Sequence, residues 1–202
     1  MEQRMRLPEI IGISGTNGAG KDTLAALRHE KEGAEHVSLS DILRRKLITR
    51  GITPERKNLM NLSRQWRDES GDYGILATRT IQQYLGGKTV KPTLSGLSIV
   101  SVRHPDEARR IKEADGKIFW IDADPKLRYE RIQTGGRNRV DDQKSFEEFV
   151  DEEQCEIYPV SANPASVNLG AVSRIADVKI ENNFDDESAY VDFLLDQYFS
   201  EG

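Results

Sequence analysis

The sequence predicts an α/β fold, a parallel five-stranded sheet with helices on both faces. Three observations lead there. Short apolar runs recur near 10–14, 36–40, 97–102, 117–122 and 178–180. Segments with helical spacing or helix-start signals lie between and after them. The first run enters its helix through a glycine-rich turn. Parallel strands need crossover connections, which place helices over both faces of the sheet.

Ile10 to Ser14 is the first strand, and Leu24 with Leu27 gives the face of the helix after it. His36 to Ser40 alternates as a strand, and Asp41 to Arg50 follows as a helix closed by Gly51. Thr53-Pro54-Glu55 reads as a cap, a proline at the first helical position and a first-turn acid, predicting a helix to about Glu69. Gly71 and Gly74 interrupt it, and a helix from Ile75 to Leu85 stops at Gly86-Gly87. Leu97 to Val102 is the third strand, and Pro105 to Ala114 returns as helix. Lys117 to Asp122 carries the buried-strand run Ile118-Phe119-Trp120-Ile121, and Pro125 opens a short helix. Ser145 to Glu148 has capping-box form. Tyr158 to Gly170, rich in Pro, Ser, Asn and Ala, reads as a loop. Val178 to Ile180 supplies the fifth strand. Glu187 to Phe199 is a helix packing through Tyr190, Phe193, Leu194 and Tyr198.

The 202 residues suit one domain, and 37% hydrophobic with 31% charged residues excludes global disorder. A net charge of -5 argues against broad attachment to nucleic acid or anionic membrane, leaving room for local basic pockets. No uninterrupted apolar run exceeds four residues, so neither a signal peptide nor a membrane span is expected and a cytoplasmic location is. Cys155 is the only cysteine, which excludes an internal disulfide and a cysteine zinc cluster; a structural role is expected for it.

The strongest chemical signal is Gly15-Thr16-Asn17-Gly18-Ala19-Gly20-Lys21-Asp22-Thr23, with two glycines and a lysine at phosphate-loop (P-loop) spacing between strand and helix. Glycines let backbone N–H groups curl around phosphate oxygens, the helix aims its positive end at them, and Lys21 adds a cation. Asp22 stands where a Ser or Thr is usual. Either it helps to hold Mg²⁺, whose preferred ligands are carboxylate and phosphate oxygens, or it caps the helix and Thr23 lies nearer the phosphates.

Asp41 and Arg44 follow the second strand, where an acceptor would meet the sheet, and Arg45, Arg64 and Arg67 extend a basic face. Arg103 lies just beyond the third strand; His104 beside it is read as incidental. Arginine suits phosphate because its planar fork donates two hydrogen bonds. From Asp124 to Asp142, Arg128, Arg131, Arg137 and Arg139 flank the Gly135-Gly136 hinge. Such a segment can close as a small lid over ATP and neutralise charge on the transferring phosphoryl group, with Arg131, Arg137 and Arg139 as catalytic candidates.

These residues resemble the P-loop kinases of the nucleoside monophosphate kinase and dephospho-CoA kinase group, particularly a dephospho-CoA-kinase-like branch. The markers are the phosphate loop, Ser38-Leu39-Ser40-Asp41, Val102-Arg103, the 124–142 segment with Gly136-Arg137-Asn138-Arg139, and Ala176-Asp177 with Asn182 around the last strand. The resemblance spans most of the chain. It implies a single P-loop kinase domain over 1–202 with an acceptor-binding helical region at about 41–87 and a lid at about 128–157. It also implies ATP as donor, Mg²⁺, and Arg103 near the acceptor. Two positions depart from it: Ser101 ends the third strand where relatives commonly carry an acid, and Tyr158 to Gly170 is longer than the corresponding connection. The favoured expectation is transfer of the γ-phosphoryl group to a ribo- or deoxyribonucleoside monophosphate. A phosphorylated acceptor is already ionised and needs no dedicated base; for a sugar hydroxyl, Asp41 is the only candidate base. The alternatives are dephospho-CoA or another small acceptor, or a nucleotide-dependent switch that transfers nothing. No Asn-Lys-x-Asp guanine-recognition motif is present.

Overall fold

The computed structural model describes residues 6–91, 93–135, 144–159 and 163–199. Five strands, β1 (Ile10–Gly15), β2 (Glu35–Ser38), β3 (Leu97–Val100), β4 (Lys117–Asp122) and β5 (Val178–Glu181), form one parallel sheet in the order β2-β3-β1-β4-β5. The fold class is therefore the expected one. Side chains alternate across it: Leu97 and Ile99 enter one core, with Val100 in the other, and Ile118 is opposed to Phe119 and Ile121 in the same way. Burial on both faces explains why these strands read as continuous apolar runs.

Over one face lie α2 (Leu39–Thr49), α3 (Arg56–Ser70), α4 (Ile75–Val90), α5 (Pro105–Glu113) and α8 (Leu169–Ile175), joined through Leu43, Leu62, Ile81, Ile111 and Val172. Over the other lie α1 (Lys21–Glu32) and α9 (Glu187–Leu194), through Leu24, Leu27, Tyr190 and Leu194; a π-helical turn, Leu195–Phe199, continues α9. The remaining helices, α6 (Pro125–Thr134) and α7 (Phe146–Ile157), flank the carboxyl edge of the sheet. Arg28, fully buried at the opposite edge, donates to the carbonyls of Pro8 (2.7 Å) and Leu97 (3.2 Å) and pairs with Glu32.

Several boundaries differ from the sequence reading for local reasons. β2 stops at Ser38 because its hydroxyl caps α2, accepting from Asp41 N. Thr53-Pro54 stays outside α3, whose N-cap is Glu55; the Thr53 carbonyl is taken by Glu55 N (2.9 Å) and Asn58 Nδ2 (2.8 Å). α4 runs through Gly86-Gly87, because Tyr84 and Lys88 on either side of them both donate to Glu9. Two such glycines cost only about 1 kcal/mol each. β3 ends at Val100, since Ser101 has φ 64°, a left-handed conformation that costs a non-glycine residue about 1–2 kcal/mol. The loop expected to reach Gly170 ends at Asn168, which caps α8. The capping box at Ser145 and Glu148 forms as read. Cys155 is exposed on α7, so it does not pack the core.

Candidate active site

The carboxyl ends of the strands open into a cleft of about 800 Å³, where parallel α/β sheets place their ligands. On one wall is the phosphate loop between β1 and α1. Gly15 (φ 135°) lies so close to β4 that a Cβ would fall 1.8 Å from Ile121 O, and Gly20 (φ 89°), the N-cap of α1, would put one 2.5 Å from Asn182 Nδ2. Both positions therefore require glycine. Side chains hold three of the loop's carbonyls: Lys21 Nζ donates to Thr16 O, Arg128 Nη1 to Asn17 O (3.3 Å) and Asn182 Nδ2 to Ala19 O (2.9 Å). Thr16 Oγ1 donates to Asp122 Oδ1 (2.6 Å) at the end of β4. Gly18, Gly20 and Lys21 line the cleft, while Ala19 is buried.

The Lys21 ammonium is drawn down to a pKa of about 7, first by loss of hydration and then by Arg103, against a smaller opposing effect of Asp22. Arg103 is thus close enough to Lys21 for the two cations to feel each other across the cleft. Asp22 and Thr23 both line the cleft, together with Ser38, Ser40, Asp41 and Ser101, and Thr23 Oγ1 donates to Glu187 on α9 (3.4 Å), which lines it too. Ser40 Oγ donates to Ser101 Oγ (3.3 Å). Among the described residues no three His, Cys, Asp or Glu side chains group closely enough to hold a metal alone. An all-oxygen set with one or two carboxylates fits Mg²⁺, which completes its shell with water and substrate phosphate; Asp22 is the carboxylate of the phosphate loop that lines the cleft.

The facing wall comes from α2, α3, the turn after β3, and α7. Arg44 pairs with Asp41 (2.8 Å). Arg67 is buried, donating to Glu107 Oε1 (2.8 Å) and Ala165 O (2.9 Å). Glu107 Oε2 accepts from the backbone N–H of Arg103 (2.9 Å). The Arg103 side chain is bonded to Glu156 on α7, which also takes Arg56 Nε at 2.8 Å. Burial alone would raise the Glu156 pKa, but Arg103 and Arg56 bring it down to about 2, so it is ionised throughout the physiological range.

Arg44, Arg67 and Arg103 therefore reach one cleft with Lys21, as do Asp22 and Asp41. Arg45 and Arg64 lie on exposed helix surface, apart from it. Arg131 lines the other end of the cleft, donating to the carbonyls of Asn182 (3.0 Å) and Phe184 (3.0 Å). Arg137 and Arg139 lie outside the described residues. His104 has a structural place: buried, it caps α5 by accepting from Asp106 N (3.1 Å) and donates Nε2–H to Pro164 O (2.8 Å). Arg56, Glu107 and Glu156 line the cleft and Glu153 holds Arg128; sequence reasoning missed Arg56, Glu107, Glu153 and Glu156. A signal existed for the last two: acids three apart on a helix share a face.

The fold is that of the P-loop kinases. Shikimate kinase from Acinetobacter baumannii, solved in complex with shikimate, superposes with a TM-score of 0.55 at 15% identity over 94% of this chain and 91% of that one. Shikimate kinase from Bacteroides thetaiotaomicron also gives a TM-score of 0.55, at 14% identity. No protein-family model matches the sequence. A UPF0200 protein of Pyrococcus horikoshii is 31% identical over 179 residues, 86% of this chain and 88% of its own. A UPF0200 protein of Thermococcus kodakarensis is 28% identical over 199 residues, 95% and 98% of the two chains. The chain belongs to the UPF0200 family.

Proposed function

We propose that the protein is an ATP-dependent small-molecule kinase whose acceptor carries a phosphate, a ribo- or deoxyribonucleoside monophosphate being the favoured class. One observation carries this reading: Lys21 of the phosphate loop lines one cleft with Arg44, Arg56, Arg67 and Arg103. A donor phosphate on the loop and an acceptor phosphate on the arginines would lie side by side, as in-line transfer requires. Loop amides and Lys21 would hold the β- and γ-phosphates, and Asp22 would take part in holding Mg²⁺, which would supply charge neutralisation to the phosphates. Catalysis would rest on positioning and charge stabilisation, with the acceptor phosphate as nucleophile and no dedicated base. Arg131, and Arg137 with Arg139, are the proposed lid cations for the transferring group.

The chain as a single kinase domain, with 41–87 as acceptor region and 128–157 as lid, belongs to this proposal. The test is a panel of ribo- and deoxyribonucleoside monophosphates and dephospho-CoA incubated with ATP and Mg²⁺, with products identified by mass spectrometry. A nucleoside diphosphate product supports the favoured class; phosphorylated dephospho-CoA alone would move the acceptor to that class.

A further inference from the structure

The arginines of the facing wall are not left to find their own geometry. Arg67 gives Nη2 to Glu107 and Nη1 to Ala165 O, while its Nε is buried with no hydrogen-bond partner. Arg103, 27% exposed, is bonded through Nη1 to Glu156; among the described residues its Nε and Nη2 make no other bond. Arg103 is thus gripped on one side by a buried carboxylate and keeps donors on the other, whereas Arg67 has both Nη atoms engaged, Nη1 also reaching Ser63 Oγ (3.4 Å), and its Nε alone lacks a partner. The two carboxylates are 1% and 3% exposed. Glu107 also fixes the backbone from which Arg103 departs, through Arg103 N and His104 N (3.1 Å). A buried donor without a partner is costly and asks for an acceptor. Arg56 also pairs with Glu152 (3.6 Å), so the guanidiniums of Arg56, Arg67 and Arg103 stand against three carboxylates.

We propose that Glu107 and Glu156 are positioning residues that hold Arg67 and Arg103 as a preset clamp for the phosphate of the acceptor, and that Glu156 also limits how tightly that phosphate binds. The proposal rests on reading the cleft as a phosphoryl acceptor site. The grip removes the ordering cost that a long side chain otherwise meets on binding. The Glu156 charge, beside Arg103, repels the incoming anion and keeps the ground state from binding too well, leaving interaction for the transition state. Because Glu156 sits on α7, that helix sets the acceptor pocket.

The test reads the Nε–Hε NMR signals of Arg67 and Arg103 during titration with inorganic phosphate, which requires no turnover. In the wild type both signals shift. Glu156→Gln keeps the shape and removes the charge, so phosphate affinity at these signals rises, by about tenfold, while the Arg103 signal broadens and kcat falls more than KM. Glu156→Asp restores the charge and returns the affinity to the wild-type level. A protein in which Glu156 only supports the fold would show unchanged or weaker phosphate binding in Glu156→Gln, and that result overturns the proposal. Should the single variant not fold, Glu156→Gln with Arg56→Gln keeps the charge balance. Broadening of Arg103 at near-normal affinity then supports the clamp, and an unaltered Arg103 signal overturns it. Shifts at Arg67 and Arg103 without any phosphorylated acceptor would sink the kinase reading and leave the clamp. Acceptor turnover with silent arginine signals would do the reverse.

Discussion

Arg128 on α6 and Glu153 on α7 are joined through both ends of the guanidinium, Nη2 to Oε2 at 2.7 Å, and the same Arg128 reaches Asn17 O in the phosphate loop. Both side chains are buried, at 2% and 7% exposure, and Arg128 also lies over the Phe149 ring. Removing one partner leaves an uncompensated charge, which typically costs about 3–5 kcal/mol, far more than an exposed pair is worth. Glu153→Ala and Arg128→Ala are each expected to lower the urea midpoint by that order. Arg128→Met with Glu153→Leu should cost much less. If the double variant loses the sum of the single losses, the two residues are not coupled.

Lys21 has a pKa of about 7 in the free protein, lowered first by burial. A bound triphosphate would raise it, so binding of ATP at pH 8 should take up a proton and binding at pH 6 should not. Calorimetry in buffers of different ionisation enthalpy reads this directly. Equal proton uptake at both pH values would contradict it. Lys21→Ala should lower turnover by about 10²–10³-fold, the scale of a lost transition-state charge contact, with unchanged circular dichroism.

Asp22 stands where the phosphate-loop pattern has a hydroxyl, and Ser101 lines the same cleft. Asp22→Asn is expected to raise the Mg²⁺ concentration needed for half-maximal turnover several-fold, while Asp22→Ser with Ser101→Glu restores part of it. A magnesium titration in which Asp22→Asn matches the wild type would return Asp22 to a capping role.

His104 is held neutral, its pKa lowered first by burial. Below its unfolded value near 6.5, the unfolded chain binds a proton that the folded one resists. Stability therefore falls as pH drops from about 6.5 through the lower folded value, and no further on this account below it. Glu156 adds a second window: its folded pKa of about 2 lies below the ordinary value of 4.5, so its contribution is present above 4.5 and lost as pH falls towards 2. His104→Asn retains a cap acceptor without the titration. Urea midpoints for this variant should be flatter than the wild type's between pH 6.5 and 5; an identical slope would remove His104 as the cause.

The sheet and the phosphate loop were legible because they are local. Burial on both faces makes β4 a continuous apolar run, and the loop needs glycine at 15 and 20 for reasons a short segment displays. The ionic framework was not. Arg67 meets Glu107, and Arg103 meets Glu156, only after α3, α5 and α7 have packed, and nothing near Arg67 in sequence says that a carboxylate forty residues away will hold it. Tertiary contacts also overrode local signals at Gly86-Gly87, where the links to Glu9 carry α4 past a sequence stop. His104 looked incidental because an imidazole cap is not among the usual N-cap residues.

The central claim is that this cleft moves a phosphoryl group between two bound molecules. Its most direct test follows the fate of ATP labelled in the γ-phosphate, with Mg²⁺, in the presence and absence of the monophosphate panel, using Lys21→Ala as control. The account predicts label in a nucleoside diphosphate, formed only when the matching monophosphate is present and lost in the control. Label appearing solely as free phosphate, at one rate whether or not any acceptor is added, would contradict it.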